Sequence, residues 1–303
     1  MYDSNSKGIS YTAGFFILIA FAVAGLIFAT LISSPVWHAL TGLGYADLQK
    51  NLTNPNPAYA NVMKLMQAIS AIVGFFLPAL ATAAMLHRKP LRLLGFSTRI
   101  SAEQIGLVIL IIGASLIVST SLSWFNHHIP VPDTWRLRFD TWENDYNNQL
   151  EAIVSLKTWK DYIFSMLIMG FLPALCEETV FRGGLQNFLS RGTRQPWMAI
   201  LVVSILFSLA HASFYGFLSR FFLGVILGAL FHYSGKLWLS ILAHFLNNAL
   251  ALTVLFVYTQ KGRPLQEVMK NETSTPWGIV ILGVLVGLFI VFKKISVSNR
   301  RAD

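Results

Sequence analysis

The sequence predicts an all-α protein, a multi-pass transmembrane helical bundle of about eight helices. Three observations lead there. Hydrophobic residues make up 54% of the 303 and charged residues only 12%, against about 25% charged in soluble domains. Apolar runs of roughly 20 residues, the length that spans a bilayer as helix, recur along the chain. Basic residues gather in alternate connections, as the positive-inside rule requires.

The runs are Tyr11–Ser33, Val62–Leu86, Gln104–Phe125, Tyr162–Leu185, Trp197–Phe214, Leu218–Tyr233, Leu237–Tyr258 and Trp277–Phe292. The first is too long for a signal-peptide core and lacks a clear small-x-small cleavage site, so it reads as a retained helix. The sixth is short. Arg88, Lys89, Arg92 and Arg99 follow the second span, Arg191 and Arg194 the fourth, and Lys293, Lys294, Arg300 and Arg301 the eighth; Lys236 precedes the seventh. All share one side if both termini are cytoplasmic. The loop Asn126–Lys160 then lies outside, with Asp133, Asp140, Glu143 and Asp145 offsetting its cations. The expected setting is the plasma (inner) membrane of a prokaryote, with residues 1–303 forming one integral membrane domain. The net charge of +9 is carried by these loops, and no basic, aromatic-interleaved surface argues for nucleic acid. Cys176 is the sole cysteine, so an intrachain disulfide is excluded. "NLTNPNPAYAN" and "KGRPLQEVMKNETSTP" read as outer loops. Asn271 and Thr273 fit a glycosylation sequon, a weak match for which a plain polar loop is the simpler reading. Gly224/Gly228 and Gly283/Gly287 have the spacing of close helix packing.

Charges inside spans are costly, about 2.5–3.5 kcal/mol at a helix centre, and mark candidate functional residues. They concentrate between positions 177 and 248. Glu177, Glu178 and Arg182 lie in span four, His211 in span five, His232 near the end of span six, and His244, Asn247 and Asn248 in span seven. Lys64 lies near an end of span two, free to snorkel. Residues four apart share a helix face. Glu178 and Arg182 therefore form a structural ion pair, and Glu177, about 100° away, is left for chemistry. His244 and Asn248 face one cavity, and Phe207 packs beside His211. Pro173 releases a backbone carbonyl near the site. Cys176, deep in apolar surroundings, reads as an inert small hydrophobe, and His232 as an interfacial or satisfied histidine.

Such a set suits more than one chemistry. Glu177 and His211 can activate water, while His244 and Asn248 donate to the oxyanion of an attacked amide. Alternatively Glu177, His211 and His244 could ligate a divalent metal such as zinc, although no H-E-x-x-H run is present. The set could also be a polar network that holds helices together. Transport ranks last, because no internal repeat is evident. No organic cofactor is implied.

"EETVFRGGL", "FSLAH" and "HFLNN" resemble, in order and spacing, the EExxxR, FxxxH and HxxxN motifs of the CPBP family of CAAX proteases and bacteriocin-processing enzymes. The resemblance covers about residues 159–255, a catalytic core with its cavity between helices four, five and seven. It implies an intramembrane endopeptidase like the type II CAAX prenyl endopeptidases, acting on a membrane-associated or lipid-modified protein. It carries water activation onto Glu177 and His211, the oxyanion hole onto His244 and Asn248, and the second glutamate and arginine onto Glu178 and Arg182. The family is often called a metalloprotease. The rival reading is a non-proteolytic binding module, such as an immunity or scaffold protein. One feature fits poorly: Glu177 and His244 lie about eight to ten residues deep and His211 about fifteen, a mismatch of several Å at about 1.5 Å per residue.

Overall fold

The computed structural model describes residues 5–54, 56–97, 99–154, 156–262 and 275–302. Among them the architecture is all-helical, with one isolated bridge between Ser6 and His87. The helices run α1 (Tyr11–Thr41), α2 (Tyr45–Thr53), α3 (Pro57–Leu86), α4 (Ala102–His127), α5 (Asp133–Ile153), α6 (Trp159–Thr193), α7 (Pro196–Leu209), α8 (Phe217–Ser234), α9 (Leu237–Gln260) and α10 (Pro276–Asn299). Seven of them, α1, α3, α4, α6, α8, α9 and α10, are long and apolar enough to cross a membrane. The protein is an integral membrane protein.

Local chemistry sets the boundaries. Ser101 and Gln104 form a capping box at the start of α4, and Thr158 with Asp161 does the same for α6, satisfying N–H groups that a helix start leaves open. Gly235, at φ 68°, stops α8 and turns the chain into α9; a left-handed residue here suits glycine. The first helix runs through Pro35 to Thr41, beyond the expected end at Ser33.

Two core clusters hold the bundle. One joins α1, α3, α6 and α7 through Leu18, Ala83, Phe188 and Phe207; the other joins α4, α8, α9 and α10 through Ile111, Leu227, Ala243 and Phe292. Gly224 and Gly228 do mark close packing. A Cβ on Gly224 would lie 2.9 Å from Ser204 Cβ, and one on Gly228 would lie 2.6 Å from Gln186 Oε1. Gly283 and Gly287 face open space instead.

Several expectations need correction. The fifth helix is the short one: α7 has 14 residues and ends at Leu209, whereas α8 has 18. The outer loop Asn126–Lys160 contains α5, a 21-residue helix. Its Trp135, Phe139 and Trp142 repeat at helical spacing, and Phe139 contacts the other two rings. Lys64 does not snorkel; it is fully buried, with its Nζ 5.8 Å from the centre of the Phe164 ring and 3.5 Å from Asn61 Oδ1. Helices α5 and α6 pack against this end of α3, so Lys64 meets protein where headgroups were expected. Asn271 and Thr273 lie outside the described residues.

The basic connections gather at one end of the bundle. There Asn187 Nδ2 donates to Leu93 O, Leu237 N donates to Gly95 O, and Lys236 Nζ lies 3.4 Å from Gln104 Oε1. Helix α5 covers the opposite end.

Candidate active site

The acidic pair sits on a regular α-helical stretch, Leu172–Glu178, between two π-helical stretches of α6, Met166–Phe171 and Thr179–Gln186. Pro173 has no N–H for the carbonyl of residue 169, and the wide turn precedes it. Such π turns recur at functional sites. Beyond the pair, glycines admit close neighbours. A Cβ on Gly183 would press on Leu94 O at 2.8 Å, and one on Gly184 would strike Leu18.

Glu178 and Arg182 pair as expected, Oε1 to Nη1 at 2.6 Å, with both side chains enclosed. Glu178 does more than hold the fold, however. The same Oε1 lies 2.8 Å from His244 Nδ1. The other ring nitrogen of His244, Nε2, lies 4.0 Å from Glu177 Oε2. One imidazole thus stands between the two carboxylates. Glu177 is the more open of the two, 17% exposed against 0%; Oε2 of each is buried without a hydrogen-bond partner.

His211 is not on a helix. Helix α7 stops at Leu209, and His211 N bonds Ser208 O at 3.2 Å in the turn beyond. The next residue, Ala212, has φ 49°, a conformation that costs a residue with a Cβ energy and gathers at functional sites. His211 Nδ1 lies 2.9 Å from Phe207 O. A carbonyl only accepts, so Nδ1 donates, and the neutral ring offers a lone pair at Nε2. The depth mismatch disappears for His211 and Glu177: α6 runs on to Thr193, so Glu177 lies 16 residues from its end and His211 lies 15 from Pro196.

Asn248 is one turn from His244 on α9. Its Nδ2 donates to Gly170 O at 3.3 Å, and its Oδ1 accepts from Asn247 Nδ2 at 3.3 Å. Phe207 is central. Its buried ring lies 4.9 Å from the His211 ring and 5.7 Å from that of His244, with the Arg182 guanidinium 4.5 Å from its centre. Cys176 is a buried free thiol. His232 packs against Trp197 and Tyr233, away from these groups.

The turn 210–216 is tied down from two sides. Asn126 at the end of α4 donates to Phe214 O at 2.8 Å and accepts from Leu218 N at 3.0 Å. From α5, Glu143 accepts from Ser213 Oγ at 2.7 Å, Asp140 accepts from Tyr215 Oη at 2.6 Å, and Phe139 stacks on Phe214 at 4.0 Å. Burial, and after it the Asp140 carboxylate, push the Tyr215 phenol up to about 12, so it keeps the proton it donates.

A metal site needs convergent donors. Among the described residues, no three His, Cys, Asp or Glu side chains group to hold an ion. Nδ1 of His244 is engaged by Glu178 and Nδ1 of His211 by Phe207 O. Glu177, His211 and His244 are thus not grouped as a ligand set among the described residues, although Nε2 of each ring is left open. An apolar groove of about 280 Å³, lined by Tyr162, Met166, Phe171 and Phe245 among others, lies between α6 and α9 and includes none of the candidate residues.

Sequence reasoning missed three contributions: the bond from Glu178 to His244, the docking of α5 on the His211 turn, and Arg220. The last is a cation in the first turn of α8, and its place near a predicted span end disguised it. The aromatic spacing of α5 was the available signal for the second. Nothing local signals the first, which joins residues 66 apart.

Residues 159–250 match the family described as "Type II CAAX prenyl endopeptidase Rce1-like". A curated protein of Escherichia coli, described as "Uncharacterized 24.3 kDa protein", is 36% identical over 104 residues, covering 33% of this chain and 47% of that protein. The chain thus spans about half the length of that relative. No solved structure matches.

Proposed function

We propose, from the premise that residues 159–250 belong to the Rce1-like CAAX-protease family, that this chain is an intramembrane endopeptidase. Its substrate is a membrane-associated or lipid-modified protein, and its catalytic core is residues 159–255. The observation that carries the reading is His244 held between two carboxylates of unlike environment, one enclosed and paired through Oε1 with Arg182, the other more open and without an arginine partner.

In this reading Glu177 is the general base. A water oxygen attacks the carbonyl carbon of the scissile amide, and its proton passes to Glu177. His211 positions that water through Nε2, its tautomer set by the bond to Phe207 O. His244 acts with both nitrogens protonated. Nδ1–H binds Glu178, and Nε2–H is free for the oxyanion. Geometry supports that form: Glu178 Oε1 lies 2.8 Å from Nδ1 and Glu177 Oε2 lies 4.0 Å from Nε2. Asn248 has two amide protons and gives one to Gly170 O, leaving one for the same oxyanion. Collapse of the tetrahedral intermediate breaks the C–N bond, and the proton held by Glu177 goes to the leaving amine. In this reading the basic end of the bundle faces the cytoplasm and both termini lie there, as the positive-inside rule supports.

The test is quantitative mapping of protein termini in membranes from cells expressing wild type or Glu177→Ala at equal levels. New termini that need Glu177 are expected, and they identify the substrate. Identical maps, with an intact phenotype in the variant, would move the assignment to a binding module.

A further inference from the structure

Arg220 forms no ion pair within 4.0 Å among the described residues. It stands in the first turn of α8, and its Nη1 is buried without a hydrogen-bond acceptor. The guanidinium rests over Gly216, where a Cβ would collide with Nη1, and its Cζ lies 5.3 Å from the centre of the Tyr146 ring on α5. Two acids of α5 bind hydroxyls of the neighbouring turn, Glu143 that of Ser213 and Asp140 that of Tyr215. Neither forms an ion pair with it. The side chain is half-buried, and a guanidinium nitrogen enclosed without an acceptor is costly.

Its position relates it to the acidic pair. Arg182 Nη2 donates to Gly224 O and Gln186 Nε2 to Gly228 O, both across 42 residues. Helices α6 and α8 therefore run parallel in register. One turn further, about 5.4 Å, the same offset sets Arg220 level with Glu178. Arg220 also follows the turn that carries His211, whose imidazole lies within range of its charge. An arginine at such a place offers a planar fork that matches a carboxylate with two parallel hydrogen bonds.

We propose that Arg220 is a specificity-determining residue that binds a carboxylate of the substrate, either the chain's C-terminus or an Asp or Glu side chain, beside the scissile bond. This rests on the endopeptidase reading of the site. Through it the site reads a charge on the substrate and not apolar surface alone.

The experiment uses the full chain in lipid nanodiscs, carrying Glu177→Gln to stop turnover. It is offered random acylated decapeptides, made as free acids and as C-terminal amides, with and without Asp and Glu. Retention is read by mass spectrometry. Free acids retained about tenfold or more over amides, the loss expected for one charged hydrogen-bonded contact, identify the C-terminus; retention of amides only when they contain Asp or Glu identifies a side chain. Either preference must vanish with Arg220→Gln and weaken with Arg220→Lys, which keeps the charge without the fork. Should Arg220→Gln fold poorly, Arg220→Met supplies the comparison. Equal retention of all peptides, including none, or a preference that survives these substitutions, overturns the proposal. Cleavage by protein with Glu177 intact separates the two claims. Glu177-dependent cleavage indifferent to carboxylates removes the role of Arg220 and leaves hydrolysis standing. Carboxylate-dependent retention without any Glu177-dependent cleavage does the reverse.

Discussion

Glu177 and Glu178 are neighbours in sequence and opposites in environment. Glu178 is enclosed and binds both Arg182 and His244 through one oxygen. Glu177 is partly open and pairs with no arginine, its nearest cationic partner being His244 Nε2 at 4.0 Å. The same contrast divides the larger site. Toward the basic end, Arg182, Gln186 and Ser240 are satisfied by bonds between α6, α8 and α9. Toward the α5 end, Arg220 keeps a buried Nη1 without an acceptor. Charges that satisfy one another fasten helices; those left over face where a substrate must enter.

Four variants test that division, beginning with the largest effect. Glu177→Gln should lower Glu177-dependent cleavage by about 10²–10⁴-fold, the span of general-base catalysis, while the melting temperature in detergent stays within a degree or two of wild type or rises. A well-folded variant with normal activity would remove Glu177 from the mechanism. Glu178→Ala should act first on folding. It strands Arg182, a loss of about 3–5 kcal/mol when a buried pair is broken, seen as lower folded yield. The double variant Glu178→Met with Arg182→Met separates the roles of Glu178. It should recover yield yet remain inactive, because His244 has lost the acceptor for Nδ1; recovered activity would return Glu178 to a purely structural part. Ser213→Ala should have the smallest effect, about 1 kcal/mol for one hydrogen bond, read as faster hydrogen exchange in α5 and the 210–216 turn. Unchanged exchange there would mean that the aromatic stack of Phe139 on Phe214 holds α5 alone.

Much of the site was legible in the sequence because helical spacing is a local rule. The pairing of Glu178 with Arg182 and the packing of Phe207 beside His211 both follow from a separation of four. That rule also misled. It kept His211 on a helix through Phe214, although α7 ends at Leu209 and the histidine reaches Phe207 O from a turn. An apolar run does not record where a helix stops when the following residues, Ala210 to Phe214, remain apolar enough to continue it. Lys64 failed in a related way. Snorkelling assumes headgroups beside the span end, and α5 and α6 occupy that space.

The sequence by itself determined an all-helical membrane bundle, the stretches that build it, and the residue types that could handle water and an oxyanion. Hydropathy and periodicity are properties of contiguous residues, and they need no partner to be read. Only the tertiary structure decided which nitrogen of His244 meets which glutamate, that Phe207 joins Arg182 to both imidazoles, that α5 closes over the His211 turn, and that Arg220 Nη1 is buried without an acceptor. Each of these depends on side chains from separate helices meeting at hydrogen-bond or ring-contact distance. No pattern within a single helix encodes such a meeting.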